Sequence, residues 1–250
     1  MSQPYTRQFF AERNTGARRS AMVILPIVFK HANIKSIVDF GCGAGAWLRC
    51  AADTGVSDIQ GLDGEWVVTE DLCIPPHQFH RTDLTKPVRL DRKYDLAICL
   101  EVAEHLPASS AGTLVDSITQ ASDLILFSAA IPLQGGKHHI NEQWQDYWAA
   151  LFSQRGFAAS DIVRSAIWGR PDVEWWYQQN ILLFARGDQP RPDRSLNMVH
   201  PQLVIQLVNP SGRQSLRMLK AGSKGLARSA FRKVTSAVAR VCRGARREPR

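Results

Sequence analysis

Apolar residues in this chain come in short runs set apart by polar turns. Residues 36–40, 58–62, 94–100, 123–128 and 180–185 are such runs, rich in Ile, Leu and Val. Short apolar runs with little alternation read as strands buried on both faces. Residues 78–80 form a shorter strand and 157–167 a longer one by the same criterion. Between the strands the apolar spacing changes to the helical period. It does so over residues 20–31 (Met22, Leu25, Ile27 and Val28, bent at Pro26), 44–52 and 109–120. It does so again over 141–155, where Trp144, Tyr147, Trp148, Leu151 and Phe152 share a stripe that Gly156 ends. Strands alternating with helices predict an α/β fold around a largely parallel sheet. Residues 187–194 hold two prolines and alternating charges and read as a linker. Residues 200–208 are short and apolar, with no assignment. From Leu216 the apolar positions Leu219, Leu226, Ala230, Phe231, Val234, Val238 and Val241 recur between Lys and Arg, a basic amphipathic helix.

One turn organises the rest. The first strand ends in Asp39-Phe40, and Gly41, Gly43 and Gly45 follow at alternate positions before helix-forming Ala44 to Ala52. Glycine admits φ > 0 and lets the backbone approach a ligand. A strand, a glycine turn and a helix N-terminus make a nucleotide-binding corner. The spacing D-x-G-x-G-x-G differs from the dinucleotide fingerprint G-x-G-x-x-G. Asp63 closes the second strand about 20 residues past the glycines, where a carboxylate can accept bonds from both ribose hydroxyls. After the fourth strand, Glu101, Glu104 and His105 fall on one face if the segment turns helically. Two carboxylates and an imidazole are competent ligands for a divalent cation.

The D-x-G-x-G-x-G corner resembles motif I of the class I S-adenosylmethionine-dependent methyltransferases. That resemblance implies a doubly wound, Rossmann-like seven-stranded sheet of order 3-2-1-4-5-7-6 with strand 7 antiparallel. It implies S-adenosylmethionine as cofactor, bound by Asp39, Gly41, Cys42, Gly43 and Gly45, by Asp63 at the ribose, by Asp83 and Leu84 at the adenine, and by Glu101. The run Glu101-Val102-Ala103-Glu104-His105 resembles the E-x-x-E-H element of ubiquinone-pathway O-methyltransferases and small-RNA 2′-O-methyltransferases. There it contributes to a magnesium or manganese site, completed in the RNA group by a later histidine. His138 or His139 is the counterpart, so the implied set is Glu101, Glu104, His105 and His139. The stretch from His139 to Trp144, H-x-N-E-Q-W, and the stretch Val173 to Asn180 resemble bacterial methyltransferases encoded with glycan-assembly genes. His139 is the general base this points to, because imidazole titrates near working pH, with Glu104 and His105 beside it. The aromatics Trp168, Trp175, Trp176 and Tyr177 either stack on a sugar or base or plug the sheet.

Charge changes the picture of partners. The 250 residues carry a net +8, but residues 211–250 hold twelve Lys/Arg against one acid, a net +11. The body holds 19 Lys/Arg against 22 acids, a net −3. Basic character therefore belongs to the tail alone, which suits an anionic membrane surface or nucleic-acid phosphates. The division is a lead-in or lid over 1–33, a catalytic domain over 34–187, a linker over 188–210 and the tail over 211–250. No apolar run is long enough to span a bilayer, and the polar N-terminus with Glu12 is not a signal peptide. Five cysteines without a CxxC pair read as reduced thiols, and with that as a cytoplasmic protein, peripheral to the inner membrane face if the tail meets lipid. The function expected is O-methylation of a glycan or small-molecule hydroxyl. An RNA methyltransferase using the tail, or a non-catalytic scaffold on the same fold, are the competing readings.

Overall fold

The computed structural model describes residues 7–187 and 195–208. The tail over 211–250, and residues 188–194 and 209–210 of the linker, lie outside them. Residues up to Met198 form one compact unit, and Val199 onward belongs to a second.

The first unit is built on a seven-stranded sheet of order β3-β2-β1-β4-β5-β7-β6. The strands are β1 (Ser36–Phe40), β2 (Asp58–Asp63), β3 (Phe79–Arg81), β4 (Leu96–Leu100), β5 (Leu124–Ser128), β6 (Phe157–Ser160) and β7 (Leu182–Arg186). β1 to β5 run parallel to one another, whereas β7 runs antiparallel to both β5 and β6. Every residue of β1 and β4 is buried, as an apolar run in mid-sheet requires. The pleat then divides the side chains between two cores. Ile37 and Ile98 face the helices α1 (Arg7–Phe29), α2 (Ala46–Asp53), α5 (Ile162–Ile167) and α6 (Trp175–Asn180). Val38, Phe40 and Cys99 face α3 (Ala111–Ala121) and α4 (Gln145–Ser153). Each core buries about twenty apolar side chains, and area removed from water at ~25 cal/mol per Å² makes these the main favourable contribution.

Four elements differ from the sequence expectation. The strand expected over 157–167 stops at Ser160, and Ile162–Ile167 is helical. The guanidinium of Arg164 is buried and bonds both oxygens of Asp161 (2.6 and 2.9 Å) and the carbonyl of Gln179 (3.1 Å). An i, i+3 pair of this kind needs a helical turn. The helix expected from Asn141 begins at Gln145 instead. The N–H groups of Ile140 and Asn141 are taken by the Glu104 carbonyl (2.9 and 3.0 Å), and that of Gln143 by Ala130 (3.2 Å), which holds the stretch extended. The first helix starts at Arg7, well before Ser20, and Pro26 sits in its last turn, where little of the helix remains to bend. Residues 175–180, read as a connection, form the short helix α6.

In the second unit α7 (Pro201–Val208) accounts for the unassigned apolar stretch. Its start is capped by the N–H of Gln202 donating to His200 Nδ1 (3.1 Å). Among the described residues, no helix is long and apolar enough to cross a membrane.

Candidate active site

The site grows from the carboxyl ends of β1, β2 and β4. Beyond Phe40 the chain needs three left-handed residues to turn into α2, and it has them in Gly41 (φ 86°), Gly43 (φ 55°) and Gly45 (φ 84°). Their surroundings differ. A Cβ on Gly41 would overlap Val102, and one on Gly45 would come within 2.9 Å of Ile74. A Cβ on Gly43 would meet nothing within 4 Å. Gly43 faces a cleft of about 560 Å³, which Gly41, Cys42, Asp39, Asp63, Asp83, Leu84 and Glu101 also line. Of the nine cofactor residues expected from the sequence, only Gly45 is outside that lining; it packs beneath the turn.

Asp63 ties β2 to the turn. One carboxylate oxygen accepts the Gly43 N–H (2.6 Å), and the other accepts the Gly64 N–H (2.7 Å). Burial raises its pKa, and these bonds, with one from the Trp66 side chain, pull it back. Asp39, buried at the end of β1, is pushed well above the carboxylate range by burial and then by the charge of Asp63. Burial, then Asp39 and Asp63, raise the Cys42 thiol as well. Two carboxyls costly to ionise beside an open cleft suit a cationic ligand. Asp83 is exposed at the rim, bonded to the Thr85 N–H (3.0 Å) and hydroxyl (2.5 Å).

Glu101 follows β4 in a left-handed conformation (φ 56°) that a non-glycine residue adopts only at a cost. That conformation breaks the helical spacing expected from Glu101 to His105, and only Ala103–His105 turns, as a short 3-10 segment. The Glu101 carboxylate accepts from Asn180 Nδ2 (3.0 Å) and Gln134 Nε2 (3.2 Å). Burial raises its pKa, and the bonds from Asn180, Ser128 and Gln134 oppose the rise.

The four-residue ligand set read from the sequence comes together as three. Glu104, His105 and His139 bring one ligand atom each within 4.8 Å of one another, and Glu101 is not among them. Glu104 is fully buried. The rings of His105 and His139 meet edge to face at 4.8 Å. His105 and His138 line the cleft, whereas the side chain of His139 is only 6% exposed, beside Glu142, and does not. His139, the general base expected from the sequence, is thus set back from the cleft lining: the loop 131–144 folds its ring inward, and His105 stands at the wall.

Four contributors went unread. Trp66, 50% exposed, lies against Gly64, which has no side chain to keep the indole off. Gln134 and Asn180 hold Glu101 from two distant segments, a convergence with no sequence signature. Glu142 was visible only as part of H-x-N-E-Q-W.

A parallel sheet with an open glycine corner at its carboxyl end, backed by buried acids, defines a nucleotide-cofactor enzyme of the doubly wound α/β class. The model of a family described as "Methyltransferase domain" matches residues 7–160. The chain belongs to this methyltransferase family, and it is an S-adenosylmethionine-dependent methyltransferase. No curated protein matches it. Among solved structures it is similar to the methyltransferase domain of bacterial CtHen1-C, at 19% identity, covering 68% of this chain and 98% of that one, with TM-score 0.52. It is also similar to magnesium protoporphyrin IX methyltransferase from Synechocystis PCC 6803 with bound SAH (20% identity, 71% and 88% covered, TM-score 0.52). A third is SAM-bound CalS10, an amino pentose methyltransferase from Micromonospora echinaspora (14% identity, 73% and 97% covered, TM-score 0.53). At these identities the likeness is one of fold.

Proposed function

We propose that this methyltransferase methylates a hydroxyl group of a glycan or small molecule. The observation that carries the reading is the Glu104–His105–His139 cluster, which reaches the cofactor cleft through His105. Methyl transfer to a hydroxyl needs the hydroxyl proton removed, unlike transfer to a neutral amine lone pair, and a carboxylate with two imidazoles serves that need.

In this reading the open side of Gly43 receives the amino acid end of S-adenosylmethionine, with Asp39 beneath it. Asp63 receives the ribose hydroxyls, and Asp83 with Leu84 the adenine. When bound, the cofactor supplies an electrophilic methyl group on a sulfonium. Glu101 offers negative charge nearby, and orientation of the two reactants in the cleft supplies much of the rate, on the order of 10⁵ M in effective molarity. The cluster also fits a divalent cation by its donor chemistry. Two imidazoles and one carboxylate favour manganese over magnesium, which prefers oxygen ligands. A cation held there would lower the pKa of a hydroxyl it touched.

The test is transfer of a labelled methyl group to a panel of sugar and phenol acceptors, with and without chelator. Transfer to hydroxyls, lost in chelator and restored by manganese, is the expected result. Transfer confined to amines would refute the reading. Activity unchanged in chelator would remove the cation and leave His105 as the base.

The tail's net +11 supports RNA as a second acceptor. Salt-dependent RNA binding that disappears when residues 211–250 are deleted is its signature.

A further inference from the structure

The loop from Leu133 to Glu142 has an arrangement that methyl transfer by itself does not explain. The Glu142 carboxylate accepts two backbone N–H groups and meets one imidazole nitrogen. The Leu133 N–H reaches one oxygen (2.8 Å), and the Gly135 N–H reaches the other (2.7 Å). That second oxygen also meets His139 Nδ1 at 3.0 Å. Backbone donors on both oxygens leave the carboxylate no freedom to rotate. Leu133 (φ 75°) and His138 (φ 63°) are both left-handed without being glycine, so the loop is held in a strained path. Gly136 completes it: a Cβ there would overlap the Nε2 edge of the His139 ring. The imidazole lies between the Gly136 backbone on one side and the His105 ring on the other.

We infer that Glu142 is a positioning residue that fixes His139 in the Nδ1–H tautomer, with the Nε2 lone pair presented to Glu104 and His105. An ionised carboxylate only accepts, so the proton between it and Nδ1 resides on nitrogen. Neutral imidazole carries one proton, and Nε2 is then left as an acceptor or ligand. Free imidazole side chains favour the other tautomer, so the selection has to come from the protein. Carboxylates behind histidine ligands do this in metal sites, and their loss weakens metal binding by about 10–100-fold. The inference rests on the cluster's role proposed above.

The experiment reads the tautomer directly, by long-range ¹H–¹⁵N correlation spectra of the histidine rings in the full chain at pH 7.5, with His139→Gln for assignment. Wild type is expected to carry its proton on Nδ1 of His139, and Glu142→Ala, which leaves Nδ1 without its acceptor, to move it to Nε2. Manganese titrations followed by electron paramagnetic resonance should then give about 10–100-fold weaker binding for Glu142→Ala. Gly136→Ala displaces the ring while keeping Glu142, and should weaken manganese with the proton still on Nδ1. An Nε2–H or doubly protonated His139 in wild type overturns the inference, as does a Glu142→Ala protein with the wild-type tautomer. Failure of wild type to bind manganese, with the tautomer as expected, defeats the cation of the proposed function and leaves this positioning role standing.

Discussion

Gly41 and Gly43 share a left-handed backbone and a turn, yet alanine at each should fail in a different way. Left-handed alanine costs about 1–2 kcal/mol. Gly43→Ala meets only that cost, because its Cβ enters empty space. Gly41→Ala also drives its methyl into Val102. Valine is stiff at χ1 and cannot swing aside, so overpacking adds about 1–3 kcal/mol. In a protein of this size each 1 kcal/mol lowers Tm by about 2–4 °C. Gly43→Ala should therefore melt roughly 2–8 °C below wild type, and Gly41→Ala a further 2–12 °C lower. Cofactor binding should rank the other way. The Gly43 methyl projects into the cleft, and a loss of about tenfold or more in affinity, about 1.4 kcal/mol, is expected. Differential scanning calorimetry and titration calorimetry with S-adenosylmethionine measure the two quantities separately. A Gly43→Ala protein that binds like wild type, or that melts below Gly41→Ala, would refute the reasoning.

The buried acids supply further tests. Folding raises the Asp39 pKa above its ordinary 3.8, so the folded state holds that proton more tightly than the unfolded chain. The stabilisation this gives is complete below the unfolded value and is lost as pH rises through the folded one. Asp39→Asn removes the titration, and should gain stability relative to wild type from pH 4 to 8 while losing cofactor affinity; parallel melting curves across that range would contradict it. Asp63→Asn keeps one acceptor for two N–H donors. It should cost about 1–3 kcal/mol in urea unfolding and weaken the cofactor in titration calorimetry. Asn180→Leu takes away the nearest donor to a buried carboxylate, which should cost a similar amount, about 1–3 kcal/mol, and raise the Glu101 pKa further in carboxyl NMR titrations.

The sheet was legible because its central strands are short apolar runs ending in glycine or acid, a pattern that burial on both faces enforces. Where burial is partial the pattern fails. Residues 157–167 alternate well enough for a strand, and only the Asp161–Arg164 pair reveals the turn into a helix. The glycine corner was legible since its chemistry is local. The left-handed Glu101 was not, because the bonds from Asn180 and Gln134 that secure its carboxylate come from residues far away in sequence. The inward turn of His139 escaped for the same reason: it depends on Glu142 receiving backbone donors from Leu133 and Gly135, and no residue type announces that.

The place of β7 has a consequence for how the chain is made. Among the described residues it is the last strand synthesised, yet it sits between β5 and β6. Until Leu182–Arg186 leave the ribosome, the hydrogen-bonding edge of Leu124–Ser128 has no partner and β6 has nothing to join. A nascent or truncated chain ending near residue 160 would thus expose an apolar edge of the kind that seeds aggregation. Polypeptides stopped there should need a chaperone, and those reaching residue 187 should not.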